Sequence, residues 1–271
     1  MTVDSAQSQV QAVSDEQQWK LFGLWILVAL IASLAVIPYT VEIMSAATRV
    51  DGWWELVPGI VTERIFLSAI AICLGLVLGP KVGLESPNLR NWLAGSPGSS
   101  SHWRLQLAYS IIFGVAVGVT INVVSPWLER MLMPELPESA RHAEEVAKRM
   151  DSWKTALACF SAGVIEELLF RFGAMTFFAW LGSKMARRQP SGAAVVWTAN
   201  LLAALLFGLL HLTNVVEFGI TITFGVVLYV TFVNGTAGLI FGWLYWRHGL
   251  GAAMLAHVVA DIVLKVIIPA A

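Results

Sequence analysis

Charge is scarce in this chain: Asp, Glu, Lys and Arg make up 13% of its 271 residues, against 57% hydrophobic. So few charges could not cover the surface of a soluble domain of this size, which makes a bilayer the natural solvent. There is no long basic run and the formal net charge is -1, so the electrostatic footprint of a nucleic-acid-binding protein is missing. Cysteine is limited to Cys73 and Cys159, both inside apolar runs, which excludes a disulfide framework and leaves two small buried hydrophobes. Residues 1–18 lack the basic segment of a cleavable signal peptide and read as a disordered tail, with 19–271 as a single transmembrane domain. No internal repeat of the kind found in many transporters is present. The His-Glu-x-x-His spacing that holds zinc on one helix is also missing.

Long apolar runs, by contrast, are plentiful. A helix needs about 20 apolar residues to cross roughly 30 Å of hydrocarbon, and seven stretches suffice: 21–39, 60–79, 105–124, 153–181, 193–216, 218–246 and 250–268. The fold class is therefore all-α, a polytopic transmembrane helical bundle. Asn234 and Gly235 interrupt the sixth stretch, so an eighth span is an alternative. Glu63 and Arg64 near the start of 60–79 are expected to snorkel to the interface. The Gly, Ser and Pro cluster at 95–101 reads as a loop.

Lys and Arg set orientation, because cytoplasmic loops carry their excess. Lys81, Arg90 and Arg104 fall two spans away from Lys184, Arg187 and Arg188, so both groups are expected inside, with the N-terminus cytoplasmic. The external 126–152 loop mixes acids such as Glu138, Glu144 and Glu145 with bases and is expected to be a solvated helix. Trp53, Trp54, Trp103, Trp127, Trp243 and Trp246 suit interfacial anchors. His102, His142 and His248 are expected in surface loops.

Three clusters of ionisable side chains then stand where a span should be apolar: Glu166, Glu167 and Arg171; His211; His257 and Asp261. Each such group at mid-bilayer costs about 2.5–3.5 kcal/mol on insertion scales and calls for compensation. Glu167 and Arg171 are four apart and can pair. Glu166 points roughly 100° away from Glu167 on a 3.6-residue turn, free to face a cavity. His257 and Asp261 are also four apart, so the carboxylate is expected to orient the imidazole. The partner of His211 must come from another helix. Buried polar groups can simply hold a bundle together. Glu167 with Arg171 neutralises itself, however, and leaves a carboxylate and two imidazoles over, the materials of general acid–base chemistry. Phe207 and Gly163 read as packing residues, and Asn122, Asn200, Asn214 and Asn234 as interhelical hydrogen-bond donors.

Glu-Glu-x-x-x-Arg, Phe-x-x-x-His and His-x-x-x-Asn/Asp, in order on three apolar stretches over 153–265, resemble the CAAX protease and bacteriocin-processing family, also called Rce1-like or Abi. The resemblance implies a membrane glutamic endopeptidase of a prokaryotic plasma membrane. Glu166 would activate water, His211 would hold it, and His257 with Asp261 would stabilise the oxyanion, with Glu167 and Arg171 in support. It implies a peptide or protein substrate at the bilayer, cut near its C-terminus, prenylated in eukaryotic members. It calls for no cofactor or metal. A membrane scaffold that retains the motifs without turnover, a zinc-dependent membrane protease and a transporter remain as alternatives.

Overall fold

The computed structural model describes residues 15–48, 53–84, 102–187 and 191–268, all helix and connecting turns with no strand among them. The chain begins with α1 (Asp15–Ala35) and α2 (Ile37–Thr48), where Pro38 sits in the first turn of α2, a place that needs no N–H. Then come α3 (Trp53–Val82), α4 (His102–Leu132) and the short α5 (Glu138–Arg149). Next, α6 (Ser152–Glu167) passes without interruption through a π-helical segment (Leu168–Met175) into α7 (Thr176–Ala186). Last are α8 (Ala193–Leu210), α9 (Leu212–Glu217), α10 (Phe224–His248) and α11 (Leu250–Ile262), which ends in a π turn (Val263–Ile267).

Among the described residues six helices are long and apolar enough to cross a membrane: Glu16–Ser45, Val57–Val82, Trp103–Leu132, Ala193–Glu217, Phe224–His248 and Leu250–Ile267. The seventh expected span, the α6–π–α7 run, carries Glu166, Glu167 and Arg171. Phe66, Ile112 and Val123 are 65%, 62% and 71% exposed, a display of apolar surface that suits lipid and would be a liability in water. The chain is an integral, multi-pass membrane protein.

Within the bundle, small residues let helices touch backbone to backbone. A Cβ on Gly114 or Gly118 of α4 would lie 2.6 or 2.8 Å from the Ala256 or Ala260 carbonyl oxygen of α11, and one on Gly208 of α8 2.7 Å from the Thr231 carbonyl oxygen of α10. Gly163 of α6 faces Val258 and Met254 of α11 in the same way. These contacts set α6, α8 and α11 around one interior space, with α4 and α10 completing it. Interhelical amides act as expected at two positions: Asn200 donates to the Leu239 carbonyl at 2.9 Å and Asn122 to that of Ile268 at 2.5 Å.

Several expectations are corrected. The 218–246 stretch is one helix, α10, that starts later: Gly219 turns the chain with φ 72° and Thr223 caps the first turn by accepting from the Val226 N–H at 3.2 Å. Asn234 does not break it, because its amide donates to the Val230 carbonyl one turn back. The helix α1 starts at Asp15, inside the expected tail; residues 1–14 lie outside the described residues, as do Arg90, Arg188 and the 95–101 loop. The 126–152 segment is more than a solvated helix. Its first residues prolong α4, and α5 buries Ala140 and Ala143, the latter in a cluster with Ile43 of α2. His248 closes α10 and stacks on Tyr109 at 4.5 Å. Trp103 and Trp127 are exposed, but Trp243 and Trp246 pack against the core; the Trp53, Trp54 and His102 side chains lie outside the description.

Candidate active site

Glu166 and Glu167 end α6, and the backbone widens into the π segment immediately after them. Such π segments occur often at functional sites. Glu167 is fully buried, whereas the Glu166 side chain is 28% exposed and lines a cavity of about 320 Å³. The two neighbours thus meet different surroundings, as a 100° turn between them requires.

Around Glu167 the polar groups are held tightly. Arg171 Nε lies 3.1 Å from Glu167 Oε2, an ionic contact whose angle falls outside hydrogen-bond geometry, and Arg171 Nη2 donates to the Gly238 carbonyl at 3.1 Å. The other oxygen, Oε1, accepts from His257 Nδ1 at 2.9 Å. The guanidinium also lies over the rings of Phe207 and Phe241, at 4.8 and 5.8 Å. A planar, delocalised cation stacks well on aromatic faces. Phe241 in turn stacks on His257 at 4.7 Å, and Phe207 meets His211 edge-on at 4.5 Å. One buried arginine and two phenylalanines therefore fix both imidazoles.

Both free imidazole nitrogens point toward Glu166. His257 Nε2 is 3.7 Å from Glu166 Oε2 and His211 Nε2 is 4.0 Å from it. His211 Nδ1 lies 2.8 Å from the Phe207 carbonyl, an acceptor only, so Nδ1 carries the proton and a neutral His211 presents a lone pair at Nε2. The cross-helix partner required for His211 is thus Glu166. Separations of 3.7–4.0 Å are too long for direct hydrogen bonds and leave a water molecule room to join the three groups.

Asp261 lines the same cavity, but its expected bond to His257 is not made. His257 is committed to Glu167, and Asp261 Oδ2 instead accepts from Lys265 Nζ at 2.7 Å, one turn further on. The i,i+4 spacing allowed either partner, and the ammonium is the stronger donor. Lys265 was the residue that sequence reasoning passed over, although the same spacing pointed to it. Arg64 also departs from the interfacial position expected of it: it turns inward and donates from Nη1 to Ser161 Oγ on α6 at 2.9 Å. The described residues contain no group of three or more His, Cys, Asp or Glu placed to hold a metal ion.

The helical membrane bundle thus gathers Glu166 and Glu167 of α6, Arg171 of the π segment, His211 at the junction of α8 and α9, and His257 of α11 beside one cavity, a set of side chains able to do acid–base chemistry. Residues 148–263 match the family described as type II CAAX prenyl endopeptidase Rce1-like. That segment, under half of the chain, is similar to the Rce1-like family, which supports the resemblance read from the three motifs. Searches among curated proteins and among solved structures find no match.

Proposed function

We propose that this protein is a membrane endopeptidase in which Glu166 activates a water molecule for attack on a peptide bond near the C-terminus of a membrane-associated or lipidated substrate. The observation that carries this reading is the convergence of His211 Nε2 and His257 Nε2 on the cavity-facing oxygen of Glu166, at 4.0 and 3.7 Å.

A water bridging these groups gives a proton to Glu166 as its oxygen bonds to the carbonyl carbon. The carbonyl π pair moves onto oxygen. His211, with its lone pair at Nε2, accepts the second water hydrogen as a hydrogen bond and aims the nucleophile. His257, when protonated, donates from Nε2 to the developing oxyanion, while Glu167 holds its opposite nitrogen and steadies the positive charge. Collapse of the tetrahedral intermediate breaks the C–N bond, and the proton stored on Glu166 passes to the departing amine. Asp261 accepts from Lys265 Nζ at 2.7 Å and makes no bond to His257, so its role is to hold Lys265 in the cavity wall.

In this reading the N-terminus is cytoplasmic, as the Lys and Arg distribution favours, and the membrane is the prokaryotic plasma membrane that the resemblance implies. Substrates bearing a prenyl group fit the family's description, and the apolar surroundings of the cavity favour a lipidated partner. The test is hydrolysis of a fluorogenic peptide by purified protein in detergent. Cleavage that survives chelator and is lost in Glu166→Gln supports the glutamate mechanism; chelator-sensitive cleavage supports a metal instead, and none supports a scaffold.

A further inference from the structure

A second cavity, of about 330 Å³, adjoins the first, and Ala162, Asn214 and Lys265 line both. Its cations are Arg64, from α3, and Lys265, which is committed to Asp261. Glu217 is its acid, on the exposed end of α9. Arg64 makes one hydrogen bond, to Ser161, and has no carboxylate within ion-pair distance among the described residues. Arg64 is half-buried, and Glu166 and Glu63 attract it only through space, so its fork of donors has one neutral acceptor and is free to hold a bound anion.

We infer that Arg64 binds the free C-terminal carboxylate of the substrate, so that the second cavity holds the segment released by cleavage. The inference rests on the hydrolase reading of the first cavity. Ala158, Ala162 and Glu166 recur every fourth residue along one stripe of α6, which runs from the second cavity into the first. Ser161, the anchor of Arg64, lies five residues before Glu166, roughly 7.5 Å along the helix axis. An extended peptide advances about 3.3–3.6 Å per residue, so with the reach of the arginine the carboxylate sits about two to four residues beyond the scissile bond. Position selects the ligand: the second cavity runs into the first along α6, so the group that Arg64 holds and the bond beside Glu166 fall on one extended chain, whereas a phosphodiester headgroup, which carries the same single charge, would not reach Glu166. Arg64 is on α3, outside the matched 148–263 segment, so it adds a function from the N-terminal half of the bundle.

The experiment uses a mixed-sequence peptide library with an N-terminal acyl chain, made once with free C-terminal carboxylates and once as carboxamides. Purified full-length protein in zwitterionic micelles is assayed for binding and, by mass spectrometry, for cleavage. The expected result is at least a tenfold preference for the acids in both readouts, with cuts two to four residues from the end. In Arg64→Met the acid-to-amide ratio falls toward one, and Arg64→Lys restores part of it; the ratio in native protein stands even where a variant folds poorly. Equal binding and cleavage of acids and amides by native protein overturns the inference and leaves the hydrolase reading intact. Acid-selective binding that depends on Arg64, without cleavage, supports the anion site and overturns the hydrolase reading. In a parallel arm with anionic phospholipid added to the micelles, activation that depends on Arg64, with no acid preference, overturns it in favour of a lipid headgroup.

Discussion

His257 is hydrogen-bonded to Glu167, 90 residues away in sequence, and not to Asp261, its neighbour one turn along the same helix. The carboxylate of Glu167 thereby ties the imidazole on α11 to the guanidinium of Arg171. Arg171→Ala should leave that carboxylate uncompensated in a buried site, a loss of about 3–5 kcal/mol. Thermal unfolding in detergent should show a clear drop for Arg171→Ala, largely relieved when Glu167→Gln is added. A normally stable but inactive Arg171→Ala protein would instead put the guanidinium in contact with the reacting groups.

The second prediction concerns the pair in the cavity wall. Asp261→Asn should reduce the cleavage rate but spare part of it, since the amide oxygen can still accept from Lys265 Nζ. Asp261→Ala should slow it further. Lys265→Met leaves the Asp261 carboxylate facing the cavity without its 2.7 Å partner, and should slow hydrolysis at least tenfold, about 1.4 kcal/mol. Adding Asp261→Asn to Lys265→Met should then recover rate, because the unpaired negative charge is gone. Steady-state rates of the four variants decide it, and additive losses would separate the two residues.

Phe207 was read as packing, and it is 2% exposed, but its neighbours give it a second consequence. It lies under Arg171 and against His211. Phe207→Ala should lower stability by about 3–5 kcal/mol, while Phe207→Leu, which keeps bulk but loses the aromatic face, should keep most stability and lose activity. Parallel unfolding and rate measurements test this, and a fully active Phe207→Leu protein would reduce the ring to filler.

Gly163 governs how closely α6 approaches α11. A Cβ there would stand 2.5 Å from Val258 Cγ2 and 3.1 Å from the Met254 carbonyl oxygen. Gly163→Ala should cost about 1–3 kcal/mol from overpacking and weaken the bond between Glu167 and His257. Hydrolysis should fall in Gly163→Ala by more than the loss of folded protein explains.

Much of this was legible in the sequence, for particular reasons. Apolar runs of bilayer length announce helices, and Glu167 with Arg171 announces a pair, because both follow from local periodicity. Periodicity also separates Glu166 from Glu167. What it cannot rank is competition between partners: Asp261 is four residues from both His257 and Lys265, and the choice is made by Glu167 arriving from another helix. Arg64 shows the same limit. Near the start of a span it looks interfacial, and only the packing of α3 on the α6–π–α7 run turns it toward Ser161. The π segment left no trace in the motif spacing, since its extra residue per turn is a matter of backbone bonding alone.

The central claim is that Glu166 takes the proton of the attacking water, and one substitution reaches it directly. Glu166→Gln keeps the shape of the side chain and leaves the pair of Glu167 with Arg171 and the bond to His257 untouched. The account predicts a protein that unfolds at close to the native temperature and cleaves no peptide above background. Retention of more than about a tenth of native activity, a loss under 1.4 kcal/mol, would contradict it.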